Sequence, residues 1–367
     1  MLSNQETRCV HIIVPARNEE DSIGRCLQSL AAQQGIKFAI TVVDDGSTDR
    51  TRAIAESFPS VTVISSSEPA SGITGKCNAL MLAVSREAEN VRTKEALSGW
   101  LLFTDADTFH YPGSLAAAVA EAEEHGAALL SYSPEQETIS WSERALMPVV
   151  FAELMRSYPP ERVNDPTDPM VAANGQYILV RRNVYEALGG HAAVAGCVLE
   201  DVELARLFKT AGYQVQFRHG GGLIRTRMYR SLPAMVEGWT KNLALLFAHP
   251  MRLALLRLLE FGFIAGLAVA AVIMIANSHS ATGLAMLGAA LLCCLQFMSR
   301  IKKAQFPWKA NSMALFGLPF FAFLLLRSHL HTSVRGAVHW KGRKYAHSAP
   351  PAMVDSSILK GNPTSKG

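Results

Sequence analysis

Two aspartates separated by one residue follow a short apolar run and suggest the chemistry of this chain. Trp100 to Phe103 is predicted to form a buried strand, followed by Thr104, Asp105 and Asp107. Two carboxylates at the exit of a central strand are costly to bury without a partner. Mg²⁺ would be a suitable partner, because it binds one or two carboxylates and completes its shell with substrate phosphates. We therefore predict a divalent-cation site here, the alternative being two solvated loop aspartates.

The elements that must position these carboxylates are alternating strands and helices. Three further apolar runs are predicted strands: Val10 to Val14, which ends at Pro15, Phe38 to Val43, and Val61 to Ile64. Helical spacing follows the first two, with caps expected at Asp21 or Ser22 and at Ser47 or Thr48. This alternation predicts a mostly parallel α/β sheet.

Charged residues follow several of these strands. Asp44 and Asp45 come directly after the second strand, and Lys76 opens the helix that follows the third. In parallel sheets, ligands bind beyond the carboxyl ends of the strands, so these residues and Asp105 and Asp107 should converge. Such a site offers acids for a cation and a nucleoside, and a lysine for phosphate. The absence of Gly-x-Gly-x-x-Gly and Walker patterns disfavours dinucleotide oxidoreductases and P-loop enzymes.

The next hundred residues add a second group of candidates. Asn174 to Gln176 leads into a predicted strand from Tyr177 to Val180, and Leu199 begins a predicted helix that carries Glu200 and Asp201. Asp201 lies in the first turn of this predicted helix, where the helix dipole by itself favours an acidic residue. The small residues from 192 to 198 suggest a lid over a ligand. His219 is a candidate metal ligand, although a lone histidine is more often structural.

Other predictions concern the same region. A helix is expected from Thr138 to Met155, interrupted near Pro148, and the proline-rich segment from Tyr158 to Pro169 is expected to be a loop.

Composition excludes several classes of protein. The 367 residues are 49% hydrophobic and carry a net charge of +4, without a dense basic stripe in the first 220 residues, so nucleic acid is not an expected partner. Six cysteines have neither zinc nor disulfide spacing, which indicates reduced thiols. The polar segment from Met1 to Cys9 does not resemble a signal peptide.

The apolar residues are concentrated toward the C-terminus and predict a membrane anchor. Leu243 to Leu256 is expected at the interface, and two near-spanning runs, Phe261 to Ala276 and Ala281 to Met298, form a predicted hairpin. A third run, Ser312 to Leu326, is shorter and is expected to be broken by Pro319. Basic residues follow the second and third runs, and the positive-inside rule places both on the cytoplasmic side. This favours two spans plus a shallow third segment, with three full spans or buried soluble helices as alternatives.

Several motifs together resemble glycosyltransferase family 2. They occur in family order: Val14-Pro15-Ala16-Arg17-Asn18-Glu19, Val43-Asp44-Asp45-Gly46-Ser47-Thr48-Asp49, Gly75-Lys76-x-x-Ala79-Leu80, Asp105-x-Asp107, Gly175-x5-Arg181-Arg182 and Glu200-Asp201. Later motifs, around Met228 to Ser231, Glu237 to Asn242 and Trp340 to Tyr345, are similar to a membrane-anchored branch with carotenoid-acid and ceramide glycosyltransferases. The resemblance implies a GT-A fold, a Rossmann-like mixed sheet flanked by helices.

The resemblance also implies roles for individual residues. Nucleotide-sugar binding falls to Pro15, Arg17, Glu19, Asp45, Lys76 and Asp105. Asp105 and Asp107 would hold Mg²⁺ or Mn²⁺ against the diphosphate, and Asp201 would be the base of an inverting transfer. The acceptor side would include Gly175, Gln176, Glu200 and Trp239. A positioned base contributes about 10² to 10⁴ in rate.

One departure from the family concerns the acceptor-side motif. Processive members carry Gln-x-x-Arg-Trp, whereas the aligned stretch here runs from Met235 to Gly238 and Trp239 and keeps only the tryptophan. This argues against a processive polysaccharide synthase. It leaves Arg227 and Arg230 as alternative groups to assist the departing diphosphate.

The expected organisation follows from these observations. A GT-A catalytic domain (1–230) precedes interfacial helices (231–257), a transmembrane hairpin with a third apolar segment (258–326), and a basic cytoplasmic tail with a disordered end (327–367). The expected function is a metal-dependent, inverting glycosyltransferase at the cell membrane, with a cytoplasmic catalytic domain, a nucleotide-sugar donor (UDP favoured by the family) and a lipid-like acceptor. The alternatives are a polyprenyl-phosphate glycosyltransferase and an inactive, nucleotide-sugar-binding membrane scaffold.

Overall fold

The computed structural model describes residues 9–90, 99–333, 337–340 and 343–346. A mixed seven-stranded sheet forms the centre of the part that precedes the apolar C-terminal helices, which is called the catalytic region below. The strands before the apolar helices are β1 (Cys9–Ala16), β2 (Lys37–Asp44), β3 (Val61–Ser65), β4 (Trp100–Thr104), β5 (Thr108–His110), β6 (Leu129–Ser133), β7 (Glu135–Gln136), β8 (Tyr177–Arg181), β9 (Val215–His219) and β10 (Ile224–Thr226). The main sheet has the order β3-β2-β1-β4-β8-β6-β9, and β5, β10 and β7 form a small second sheet. Only β8 runs antiparallel to its neighbours in the main sheet.

Helices cover both faces of this sheet and then continue into the apolar part. They are α1 (Ile23–Ala31), α2 (Thr51–Glu56), α3 (Gly75–Asn90), α4 (Ser114–Glu124), α5 (Trp141–Ser157), α6 (Pro160–Val163), α7 (Arg182–Ala187), α8 (Glu200–Thr210), α9 (Leu232–Asn242), α10 (Pro250–Ala276), α11 (Ser280–Lys302), α12 (Trp308–Asn311) and α13 (Ala314–Ser333). Short 3-10 helices occupy Gly190–Val194 and Leu243–Leu246. A hairpin follows, with strands β11 (Ala337–Trp340) and β12 (Arg343–Ala346). The predicted α/β class, with a mostly parallel sheet of GT-A type and apolar C-terminal helices, is confirmed.

Two buried layers hold the sheet between its helices. One face packs on α1 and α4 and the other on α3 and α8, and every residue of β4 is buried. Burial on both faces explains the continuous apolar run of that strand, which is typical of parallel sheets. Asp105 and Asp107 therefore leave a rigid strand.

Several local predictions were wrong in detail. β1 continues through Pro15, which pairs in register with Val43 beyond the last pairing to β4, where a missing N–H is tolerated. Ser22 precedes α1 as expected, but its hydroxyl donates to the Glu19 carboxylate at 2.8 Å instead of capping the helix. α2 begins at Thr51, because the Asp49 carboxylate accepts the Thr51 N–H.

Two predictions of non-helical structure were also wrong. α5 runs unbroken through Pro148, since residues on both sides of the proline are buried against other helices and this packing offsets the lost backbone hydrogen bond. The expected loop from Tyr158 to Pro169 contains the short helix α6. The predicted lid overlaps a 3-10 helix, and the Thr74 N–H donates to the Ala195 carbonyl there.

Three C-terminal helices are long and apolar enough to cross a membrane by length and composition. α10 and α11 form the predicted hairpin, and most of their surface is exposed. α13 is the shortest of the three, as expected, but it is continuous through Pro319, so the expected break at this proline was wrong. At about 1.5 Å per residue, its 20 residues reach about 30 Å.

α13 lies against elements of the catalytic region along its length. A Cβ placed on Gly317 would clash with the backbone carbonyl of Ala145 in α5. Farther along, the Arg327 Nε donates to the Thr240 hydroxyl in α9 at 3.1 Å, and the Ser328 hydroxyl accepts the Ala244 N–H at 2.9 Å. α13 is therefore packed against the catalytic region and is not an isolated helix that faces lipid on all sides.

A buried ionic cluster joins the hairpin to the catalytic region. Glu153 of α5, whose side chain is 1% exposed, binds Arg257 of α10 at 3.0 Å. Arg257 also binds Glu260 at 2.7 Å, and Arg300 of α11 binds Glu260 at 2.7 Å. Removing one member of such a cluster would leave a buried charge without its partner, so these ion pairs hold the hairpin against the catalytic region in one arrangement.

The predicted domain boundaries stay predictions, and the expected disordered end of the tail lies outside the described residues.

Candidate active site

A cavity of about 550 Å³ lies at the carboxyl ends of β1, β2 and β4. Loops after these strands, the segment before β8, and the first turns of α3 and α8 form its walls. It collects the predicted site residues Pro15, Arg17, Glu19, Asp45, Lys76, Asp105, Asp107, Gly175, Gln176, Glu200 and Asp201. β8 contributes from its amino end because it runs antiparallel. The expected convergence is therefore present.

Two loops cross-link to form the wall after β1 and β2. The Arg17 Nη1 donates to the Asp45 carbonyl at 2.7 Å, and the Asp45 carboxylate accepts the Ser66 hydroxyl at 2.7 Å. The Asn18 side chain accepts the Thr48 N–H at 2.9 Å. These bonds hold polar groups of both loops toward one end of the cavity.

Lys76 lies between two acidic groups. Its ammonium group contacts the Asp105 carboxylate at 2.8 Å and the Glu200 carboxylate at 3.3 Å. Burial disfavours the ammonium charge, but Asp105 and Glu200 outweigh that effect and raise the pKa of Lys76. Lys76 thus connects the aspartate pair after β4 with the acidic pair that begins α8.

Asp201 is held by the backbone around it. Its carboxylate accepts the Gly175 N–H at 2.8 Å and the Val202 N–H at 2.9 Å. Burial, and then the charge of Glu200, raise the pKa of Asp201 to about 6. At neutral pH the group is therefore ionised and able to accept a proton.

Gly175 makes this arrangement possible. A Cβ at this position would lie 2.8 Å from the Lys76 ammonium nitrogen and 3.4 Å from an Asp201 carboxylate oxygen. The first distance is too short for any side chain to be accepted without movement of Lys76. A side chain at position 175 would therefore displace the Lys76 ammonium group from its present position.

The carboxylates after β4 fit a divalent cation that relies on its substrate for further ligands. Asp105 and Asp107 both line the cavity, whereas His219 is not among the lining residues. Within the part of the chain that the structure describes, no cluster of three or more His, Cys, Asp or Glu side chains has the geometry of a metal site. A two-carboxylate donor set suits Mg²⁺ or Mn²⁺ bound together with phosphate oxygens and water.

Another part of the cavity wall comes from α9 and the segment before it. Ala234, Gly238 and Lys241 face the cavity from one side of α9. The other side carries Met235 and Trp239, which belong to an apolar cluster with α5 and α13. One helix therefore borders both the polar cavity and the apolar part of the protein.

Trp239 does not lie where the sequence predicted. Its side chain is 4% exposed and packs edge-on against the rings of Phe151 and Tyr229, at 6.4 and 5.9 Å between centroids. It is absent from the cavity wall, because the helical repeat turns position 239 away from the face that carries Gly238 and Lys241. Trp239 therefore packs behind that wall, and its assignment to the acceptor side stays a prediction.

This chain is similar to known glycosyltransferases. The family model for "Glycosyl transferase family 2" matches residues 11–189. This stretch of the chain belongs to the family. Among its relatives, the 4,4'-diaponeurosporenoate glycosyltransferase of Staphylococcus aureus strain MRSA252 is 28% identical over 357 residues, covering 94% of this chain and 90% of the relative. The protein of the same name from strain USA300 is 26% identical, with the same coverage.

Solved structures also align with this family 2 glycosyltransferase. The mannosyltransferase PcManGT from Pyrobaculum calidifontis, in complex with GDP-Man and Mn2+, has a TM-score of 0.46 and 17% identity over 89% of this chain and 87% of its own. TarS 1-349 from S. aureus has a TM-score of 0.39 and 15% identity, over 92% of this chain and 96% of its own.

Other cavity residues of the glycosyltransferase were not singled out from sequence. They are Asn18, Asp49, Asn174, Tyr229 and Lys241, which all line the same space. Asn18 and Asp49 belong to the motifs already quoted, and Lys241 follows Trp239 by two positions. The helical repeat of α9 was the available signal for Lys241, since positions 234, 238 and 241 share one face.

Proposed function

We propose that this glycosyltransferase transfers a sugar from a nucleotide-sugar donor to a lipid-like acceptor at the membrane, with Mg²⁺ or Mn²⁺. The observation that carries the proposal is the composition of one cavity. It combines two carboxylates suited to a cation, a lysine suited to phosphate and a buried carboxylate of raised pKa. One of its walls is a helix whose other side packs on apolar helices.

The donor is assigned to the end of the cavity beside β1, β2 and β4. Arg17 and Asp45 there would hold the nucleoside, and Lys76 would lie beside the diphosphate. Asp105 and Asp107 would hold the cation. When bound, the cation would offset the negative charge that develops on the departing diphosphate. A UDP-sugar is the donor favoured by the family resemblance.

Asp201 is proposed as the general base for a hydroxyl acceptor. Its carboxylate would take the proton as the acceptor oxygen attacks the anomeric carbon from the face opposite the diphosphate, inverting that carbon. The proteins named 4,4'-diaponeurosporenoate glycosyltransferase act on an acid by name, which supports a lipophilic carboxylic acid as one acceptor class. A carboxylate acceptor is already ionised, and the transfer would then depend less on Asp201.

The membrane location follows from the same architecture. The α10–α11 hairpin is apolar, and the ionic cluster of Glu153, Arg257, Glu260 and Arg300 would lie at its cytoplasmic base. α9 would then sit at the membrane surface, so that an acceptor could keep its chain in lipid and raise its polar end to Asp201.

The test uses the full chain in lipid nanodiscs with Mn²⁺. Radiolabelled UDP-sugars and GDP-sugars are offered with a lipophilic carboxylic acid, a lipophilic alcohol or a polyprenyl phosphate, and labelled lipid is extracted. We expect label in the acid or the alcohol, and none with Asp107→Ala. Label only in the polyprenyl phosphate would favour that alternative acceptor. Donor binding without hydrolysis or transfer would indicate an inactive scaffold.

A further inference from the structure

Two arginines, Arg227 and Arg230, line the cavity near Asp107. We infer that Arg230, and not Arg227, binds the diphosphate as it departs from the sugar. The inference rests on the proposed function and adds to it the group that stabilises the leaving phosphate. The two side chains differ in what they already bind.

Arg227 is committed to a buried carboxylate. Its Nη2 binds the Glu143 carboxylate at 2.9 Å, and the Glu143 side chain is 4% exposed. The same carboxylate accepts the backbone N–H groups of Ile139 and Ser140 and closes the capping box of α5. Withdrawing Arg227 would leave that buried negative charge without its cation, which is strongly unfavourable. For Arg227, exchanging this structural partner for a ligand would therefore carry a large free-energy cost.

Arg230 has no such partner. Its side chain is exposed, and its Nη2 donates to the backbone carbonyl of Asp21 at 3.1 Å. Throughout the described ranges, no carboxylate lies within ion-pair distance of its guanidinium. Arg230 and Asp107 both line the main cavity and also the small recess beside it. Among the described residues the guanidinium thus has no ion-pair partner, and it borders the same two spaces as the carboxylate assigned to the cation.

The position that carries arginine in processive relatives is closed in this chain. A Cβ at Gly238 would lie 2.4 Å from the ring and the hydroxyl of Tyr229. Tyr229 is 8% exposed, and it fills the space into which a side chain at position 238 would project. The chain places Arg230 next to this tyrosine, so the positive charge enters the cavity from the segment before α9.

The transfer step leaves additional negative charge on the departing diphosphate, which a positively charged side chain stabilises. The acceptor oxygen forms a bond to the anomeric carbon while the bond from that carbon to the phosphate oxygen breaks, and the electron pair stays on the oxygen. The released nucleoside diphosphate carries one more negative charge on its terminal phosphate than the donor does. Guanidinium groups bind phosphate oxygens through paired N–H donors, which suits Arg230 to that terminal phosphate.

The test measures nucleotide binding by the full chain in detergent with Mn²⁺, so it does not depend on knowing the acceptor. UDP and GDP carry the terminal phosphate, whereas UMP and GMP lack it. For Arg230→Gln we expect about tenfold weaker binding of the diphosphate, with monophosphate binding changed by less than about twofold. Arg230→Lys should recover part of the loss. Arg86→Gln is the matched control, since Arg86 is exposed on α3, away from the cavity.

The outcomes distinguish failure of the proposed function from failure of the Arg230 assignment. If the wild-type chain bound neither UDP nor GDP, the proposed function would fail before Arg230 was tested. If it bound them and Arg230→Gln bound the diphosphate equally well, only the assignment of Arg230 would be overturned. Selective loss with Lys241→Gln in place of Arg230→Gln would also overturn it, because Lys241 lines the same cavity. A matching fall in kcat for Arg230→Gln, with Tm unchanged, would support the assignment.

Discussion

Replacing Asp201 by asparagine should reduce catalysis and raise stability at the same time. The group has an ordinary pKa of 3.8 and a pKa of about 6 in the folded protein, where burial and Glu200 disfavour its charge. A difference of about 2 pKa units corresponds to about 3 kcal/mol, at roughly 1.4 kcal/mol per unit. At neutral pH the free energy of unfolding of the wild-type protein is therefore lower by about this amount than it would be with a neutral group at position 201.

The pH dependence of this effect has a definite sign. Between about pH 4 and about pH 6 the folded state holds a proton on Asp201 that the unfolded state has lost, so stability falls as pH rises through this window. Asparagine does not titrate, so the difference in stability between variant and wild type should be near zero at about pH 4 and largest above about pH 6. The value of about 3 kcal/mol is an upper limit, because asparagine loses one of the two accepted hydrogen bonds from Gly175 and Val202.

The assay combines activity and thermal unfolding of the full chain. Transfer to a hydroxyl acceptor should fall by at least about 10², with little change in donor affinity. In the wild type, kcat/KM should fall about tenfold per pH unit below pH 6, as the base becomes protonated, and this limb should be absent from the variant. A variant with lower Tm at pH 7.5 and an unchanged acid limb would refute the assignment of the raised pKa to Asp201. Loss of donor affinity equal to the loss of transfer would move Asp201 from catalysis to donor binding.

Three further predictions concern the cation, the cavity and the membrane. Asp107→Ala should abolish transfer and weaken nucleotide-sugar binding, and excess Mn²⁺ should not restore it; near-normal activity in EDTA would contradict the metal assignment. Gly175→Ala should displace the ammonium of Lys76 and lower kcat by about tenfold or more, measured as initial rates beside Tm; an unaltered rate would mean that this close approach is not needed. In a cysteine-free background, cysteines at Gln305 and Tyr345 should both be labelled from the cytoplasmic side; labelling of only one would establish that α13 crosses the membrane completely.

Much of the catalytic region was predictable because its signals are local. The buried run at β4 and the acids after it indicate a strand and its exit, whatever the rest of the chain does. In a parallel sheet the carboxyl ends meet at one edge, so Asp45, Lys76 and Asp107 were expected together and do line one cavity. The hairpin of α10 and α11 followed in the same way from the length of two apolar runs.

Predictions were less accurate where a local sequence preference competes with contacts made by other residues. Thr48 was a reasonable helix cap by residue type, but its N–H binds Asn18 from a distant loop, and Asp49 takes over the start of α2. Pro148 should break a helix by local rules, yet the packing around α5 keeps the helix continuous. In each case a contact from elsewhere in the chain outweighs a local preference of about 1 to 3 kcal/mol.

The amino-acid sequence by itself determined the fold class and the edge of the sheet where the site lies, because the alternation of strands with helices and the periodicity of apolar residues are properties of the chain. The family followed from the motifs that this chain shares with other members. Only the tertiary structure decided which side chains point into the cavity and which charges are already paired. Trp239 turns away from the cavity while Lys241 enters it, and Arg227 is bound to Glu143 while Arg230 is not. Ion pairing and helix rotation depend on distances of a few ångströms between distant segments, and no spacing in the sequence encodes those distances directly.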